Sequence, residues 1–144
     1  MKTVHEVLAH KDNRIWAVHP EDSVYDAIRK MADHEVGALV VMADDEMQGI
    51  ISERDYARKV ILKDKSSKAT QVREIMSRKV IRATSELDVD SCVSLMRDHH
   101  IRHLPVVDDN IVVGMLSLRD LFATIIEDQA STIDQMAHYI RGEV

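Results

Sequence analysis

Apolar and polar positions along this chain run through one pattern and then begin it again. Val4, Val7 and Leu8 fall at helical spacing, and residues 15–18 read as a short apolar strand. Behind Ser23 and Asp26, the stripe Val24, Ala27, Ile28 and Met31 predicts a helix with one buried face. Residues 38–42 and 48–51 follow as strands joined by the acidic turn Ala43, Asp44, Asp45 and Glu46, and residues 53–62 predict a second helix. The same order then returns. Val72, Ile75 and Met76 predict a short helix with Thr70 as its N-cap, and residues 80–83 a strand. A helix starting at Ser85 or Asp88 carries Val89, Cys92, Val93 and Met96 on its buried face. Strands at 103–107 and 111–116 are joined by Asp108, Asp109 and Asn110, and a closing helix covers 118–127.

The two runs superpose at a constant offset of sixty-five residues, so that segments 15–59 and 80–124 align without a gap. Gly49-Ile50-Ile51-Ser52-Glu53-Arg54-Asp55 lies over Gly114-Met115-Leu116-Ser117-Leu118-Arg119-Asp120. The chain is one βαββα unit written twice, which implies pseudo-twofold symmetry and a cleft between the copies. The expected fold is an α/β (α+β) sandwich, with repeat one over residues 1–65, repeat two over 66–128 and a C-terminal helix over 129–144. The polar stretch 63–68 is the linker. After Ser131 and Thr132, the residues Ile133, Met136, Ala137 and Ile140 predict a separate terminal helix of about 11 residues, packed across the module or against a second subunit.

Composition narrows the function classes. At 144 residues the chain buries roughly 68–70% of its unfolded surface, enough for one compact domain. A net charge of −6 disfavours a broad nucleic-acid or anionic-membrane surface, so any phosphate site must be small and focused. No apolar run approaches the ~20 residues of a membrane span, and the first residues lack the core of a secretion signal, so a cytoplasmic location is expected. The single cysteine, Cys92, builds no internal disulfide and no cysteine-based zinc site.

The repeated Gly-x-x-Ser-x-Arg-Asp tract carries the candidate chemistry. Ser-x-x-Asp is first of all a helix cap, in which the hydroxyl accepts a backbone N–H and the acid sits near the positive end of the dipole. A cap requires neither the Gly nor the Arg. Free N–H groups and a Ser hydroxyl at a helix start attract an anion, and the Gly is expected to let a ligand approach the backbone. The Asp would repel phosphate but suits the two hydroxyls of a ribose. Ser and Arg at phosphate, Asp at ribose and flanking apolar strands together describe a nucleotide pocket.

With the strands Val36-Gly37-Ala38-Leu39-Val40-Val41 and Ile101-Arg102-His103-Leu104-Pro105-Val106-Val107, this paired motif resembles a tandem of cystathionine-β-synthase-type (CBS) domains, a Bateman module, over residues 4 to 126 or so. The resemblance implies two repeats packed sheet to sheet, a homodimer, and adenosine-containing ligands such as AMP, ADP, ATP, S-adenosylmethionine or NAD(H) in the clefts. It further implies a regulatory module of the stand-alone bacterial type, responding to energy or redox state through a protein partner that the sequence does not name. Residue by residue, Asp120 and Asp55 become the ribose ligands, with Ser117 and Ser52 beside them. Arg102, His103 and Arg119 would serve phosphate in the principal, Asp120 cleft. In the Asp55 cleft Gly37 and Ala38 stand where repeat two has Arg102 and His103, so phosphate there would lean on Arg54, Arg58 or Lys59, and on Lys79 or Arg82 from the opposing segment.

Other features are weaker. His99, His100 and His103 resemble metal ligands, but Pro105 ends helical geometry, and the match of His34 with His99 points to helix C-termini instead. The eight Met residues sit at apolar positions as core filler. No nucleophile–base pair, P-loop or dinucleotide glycine motif is present, so no enzyme activity is expected. The alternative to a nucleotide sensor is a structural dimerisation or adaptor protein whose clefts stay empty.

Overall fold

The computed structural model describes residues 2–11 and 14–142, ordered as α1 (Val4–Ala9), β1 (Ala17–Val18), α2 (Val24–His34), β2 (Ala38–Ala43), β3 (Glu46–Ser52), α3 (Glu53–Tyr56), α4 (Val72–Ile75), α5 (Val89–His99), β4 (His103–Asp108), β5 (Ile111–Ser117) and α6 (Leu118–Ile140). Strands β1, β2 and β3 form one sheet in that order, and β4 and β5 a second. The result is a mixed α/β fold with small sheets and six α-helices among the described residues.

Local chemistry explains why the copies look alike. Ser23 Oγ accepts from the Asp26 N–H at 3.0 Å to start α2, and Asp88 Oδ1 accepts from the Ser91 N–H at 2.7 Å to start α5. Both helices end on a left-handed residue, Glu35 at φ 54° and His100 at φ 55°. The hairpins turn on Asp44 and Asp45 in one copy and Asp109 and Asn110 in the other, all at positive φ, as two-residue turns of the twist-matched kind require. His34 and His99 close their helices, and His34 stacks on Trp16 at a ring separation of 3.5 Å.

Each copy lends its leading helix to the other copy's core. Val4, Val7 and Leu8 of α1 pack with Val89, Cys92, Leu104, Leu116 and Leu121, whereas Val72, Ile75 and Met76 pack with Val24, Met31, Leu39 and Ile51. Main-chain bonds fix both crossings: the Val4 N–H donates to Leu87 O at 2.8 Å, and the Val72 N–H to Asp22 O at 2.8 Å. Cys92 is buried in this packing, which pushes its thiol up to about 11 and keeps it protonated.

Four sequence expectations are corrected. Thr70 is not the cap of α4. It is buried and donates to Ser66 O at 2.7 Å, while Gln71 and Glu74 form the capping box. The strand at 80–83 shrinks to a bridge between Ala83 and Val106. In the first copy the Val40 N–H donates to Trp16 O at 3.3 Å, but the position matching Val40 is Pro105, which has no N–H to give to Ile81. The helix over 53–62 makes one α-turn and then widens into a π-helical stretch, Ala57–Ile61. Finally, the expected C-terminal helix is present through Ile140, but it does not start afresh after Thr132. Thr132 Oγ1 donates to Asp128 O at 2.9 Å within the continuous 23-residue α6, so it back-bonds inside the helix and caps nothing.

Candidate functional site

The two Ser-x-x-Asp elements stand where β3 runs into α3 and β5 into α6, at the edges crossed by the exchanged leading segments. Ser77 pairs with Ile50 on the outer edge of β3, and Lys11 Nζ donates to Met115 O on β5 at 2.7 Å. Ile50 and Met115 are equivalent positions. This geometry also corrects the role expected for the glycines. A Cβ on Gly49 would lie 2.6 Å from Ser77 O, and one on Gly114 would lie 2.9 Å from the Leu8 methyls. At Gly49 the crossing backbone therefore excludes a side chain and packing accounts for the glycine without a ligand, whereas at Gly114 only side-chain methyls stand in the way.

Both motifs form complete capping boxes, with the Ser oxygen accepting the Asp N–H and the carboxylate accepting the Ser N–H. They differ in what else the carboxylate meets. Asp55 accepts from the Ser52 N–H and hydroxyl on Oδ2, at 3.0 and 3.1 Å, and pairs with Lys59 through Oδ1 at 2.9 Å. Asp120 takes both the Ser117 N–H and the Lys11 ammonium on Oδ2, each at 2.8 Å. Its described bonds therefore converge on one oxygen.

The surroundings of Asp120 are cationic. Burial alone would raise its pKa, but the Lys11 ammonium and the Ser117 bonds outweigh burial and hold the carboxyl below its ordinary value. His103 sits within electrostatic reach of Asp120, Lys11 and Arg102; burial lowers its pKa first, and Lys11 and Arg102 add to that against the opposing pull of Asp120. A neutral imidazole beside two permanent cations is therefore the resting state near pH 7. Across the pseudo-twofold axis, a Cβ on Gly37 would lie 3.1 Å from both the His103 ring and Glu53 Oε1, so the starts of β2 and β4 meet face to face.

The structure thus gathers Ser117, Asp120, His103 and Arg102, with Arg119 exposed on the first turn of α6. In the other seam it joins Ser52, Asp55 and Lys59, whereas Arg54 is engaged elsewhere, donating from Nη1 to the His100 carbonyl of the second copy at 2.6 Å. Arg58, Lys79 and Arg82 are exposed, the last two on the segment that follows the Ser77 crossing. Sequence reasoning missed Lys11, which lies 109 residues from its partner and carries no local signal. Among the described residues no three His, Cys, Asp or Glu side chains cluster as a metal site would need, and no helix is long and apolar enough to cross a membrane.

A sequence model described as the CBS domain matches residues 5–62 and again 72–127. The chain is 42% identical over 127 residues to the "CBS domain-containing protein CBSX3, mitochondrial" of Arabidopsis thaliana, an alignment covering 85% of this chain and 62% of that protein. It is 36% identical over 104 residues to the uncharacterised protein MK0525 of Methanopyrus kandleri, covering 71% of this chain and 53% of that one, so it spans under two thirds of either relative. Among solved structures, a putative signal-transduction protein with CBS domains from Burkholderia ambifaria superposes with a TM-score of 0.86 at 45% identity, over 89% of this chain and 96% of that one. The CBS domain pair of protein MJ0100, in complex with 5′-methylthioadenosine and S-adenosyl-L-methionine, superposes with a TM-score of 0.79 at 25% identity, over 89% and 98%.

Proposed function

The chain belongs to the CBS-domain family as a tandem pair, a regulatory module, and from that premise we propose that it binds an adenosine-containing nucleotide in the Asp120 seam and signals its level to a protein partner. The candidate ligands are AMP, ADP, ATP and NAD(H). What carries this reading is the Asp120 carboxylate, capped and oriented through one oxygen, with Lys11, Arg102 and His103 around it. A ribose diol would donate to the remaining oxygen, and the phosphates would face the cations. The adenosine ligands of the MJ0100 domain pair support the ligand class.

Asp55 has both oxygens committed and Gly37 and Ala38 in place of Arg102 and His103, so its seam is the weaker of the two. One observation favours a purely structural protein instead: each Ser-x-x-Asp element is already a satisfied cap with an ion pair. Calorimetry and thermal melts with each nucleotide separate the readings. A nucleotide at a hundred times its Kd should stabilise the fold by about 2.7 kcal/mol. Asp120→Ala should weaken binding about thirty- to a hundredfold, and Asp55→Ala by clearly less. No shift with any adenylate favours the structural protein, and equal losses in the two variants overturn the ranking of the seams.

A further inference from the structure

Helix α6 has two lengths with different surroundings. Its first two turns belong to the module: Leu121 and Thr124 are buried, Ile125 packs on the second core, and Lys2 Nζ reaches Asp128 at 3.3 Å. From residue 129 to residue 142 every position is exposed except the half-buried Ala137. This length lies beyond the matched family domain, which ends at residue 127. A helix of this size without a tertiary partner is marginal in water, so its apolar face calls for a cover.

The face has the period of a helix pair. Ile126, Ile133 and Ile140 recur every seven residues, and Phe122, Gln129 and Met136 recur every seven between them, which are the a and d positions of a heptad. Five of these six are large apolar side chains, exposed by 50% at Phe122 to 80% at Ile140. The flanking positions Ala130, Thr132, Ala137 and Tyr139 carry no charge, so an identical helix meets no like charge along the seam. The acids Glu127, Asp128 and Asp134 lie on the outer face. That sign is wrong for an anionic lipid surface, where the polar face is ordinarily rich in Lys and Arg.

Area decides whether a second copy suffices. With Tyr139, six large apolar side chains at ~100 Å² each give about 600 Å² per copy, or about 1,200 Å² in the pair. That clears the ~1,000 Å² a specific interface needs. We propose that residues 122–140 form a self-complementary seam that pairs with the same helix of a second copy of this chain, whatever contacts the repeats themselves make. The pairing does not depend on the nucleotide reading.

Sedimentation and amide exchange on the full chain test it. Across about a hundredfold in concentration the mass should rise by one doubling as the amides of 126–140 gain protection. Ile133→Glu should raise the dissociation constant of that step about a hundredfold or more and abolish the concentration-dependent protection, while Ile133→Leu stays within about threefold. The repeats should melt unchanged in both variants, since residue 133 touches neither core. Identical mass and exchange in wild type and Ile133→Glu overturn the proposal. So does protection of 126–140 that survives Ile133→Glu, or that appears only with phosphatidylcholine–phosphatidylglycerol vesicles.

Discussion

The two seams of this molecule solve the same electrostatic problem from opposite directions. Asp55 receives its lysine from four residues along its own helix, where repeat two has Thr124. Asp120 receives Lys11 from the segment crossing over from the other copy, and the matching position on the opposite crossing, counted from Val4 and Val72, is the exposed Lys79. Each carboxylate ends with one ammonium, and each ammonium also bonds a carbonyl across the copies, Lys11 to Met115 O at 2.7 Å and Lys59 to Ile75 O at 2.8 Å, but only at Asp120 do the two charges of the pair come from different copies. Duplication preserved the caps and the backbone, and divergence moved the charges. Unequal seams follow without any change of fold.

The seams should differ most in energy at the glycines under the crossings. Gly49→Ala sets a Cβ against the Ser77 backbone carbonyl, which cannot rotate away, and should cost about 2–3 kcal/mol, a fall in Tm of roughly 6–9 °C. Gly114→Ala meets only the Leu8 methyls, which can give, and the gain from a stiffer unfolded chain offsets part of the clash. Its change should stay within about 1 kcal/mol by urea denaturation. Equal losses would mean that the two crossings are not packed as differently as their contacts imply.

The lysines contribute less than the glycines. Lys11→Ala removes an inter-copy ion pair and a bond to Met115 O and should lower stability by about 1 kcal/mol in chemical denaturation. Lys59, with 44% of its side chain exposed, should matter about half as much in Lys59→Ala. The least effect is read in acid. The carboxyl of Asp120 is depressed on folding, so its stabilisation is complete above the unfolded value near 3.9 and is lost as pH falls through the folded one. Asp120→Asn should therefore shallow the acid limb of the stability–pH profile below about pH 4 while leaving its neutral plateau without that contribution.

Much of this was legible in the chain. The repeat, the stripes of α2 and α5, their caps at Ser23 and Asp88 and both hairpins follow from short-range periodicity and turn chemistry, which act within a few residues. Ser117 and Asp120 were legible for the same reason, since the duplicated motif marks them, whereas Arg102 and His103 were named through the family resemblance. What was not legible is long-range. Val4, Val7 and Leu8 carry the same apolar signal as Val72, Ile75 and Met76, and nothing local says which core either triplet enters. Lys11 is hidden by the same exchange. The fate of residues 80–83 was readable in principle from Pro105, whose missing N–H has no counterpart at Val40.

The exchanged leading helices set an order on synthesis. A nascent chain that has emerged only as far as residue 62 has every strand of its first copy but lacks Ile75 and Met76, so its interior stays open until the next segment leaves the ribosome. Residues 4–8 must in turn wait for the second copy, whose last buried positions come near residue 124. Neither half is a folding unit in its own right, and a cut between the copies would leave two incomplete fragments, neither of them a domain.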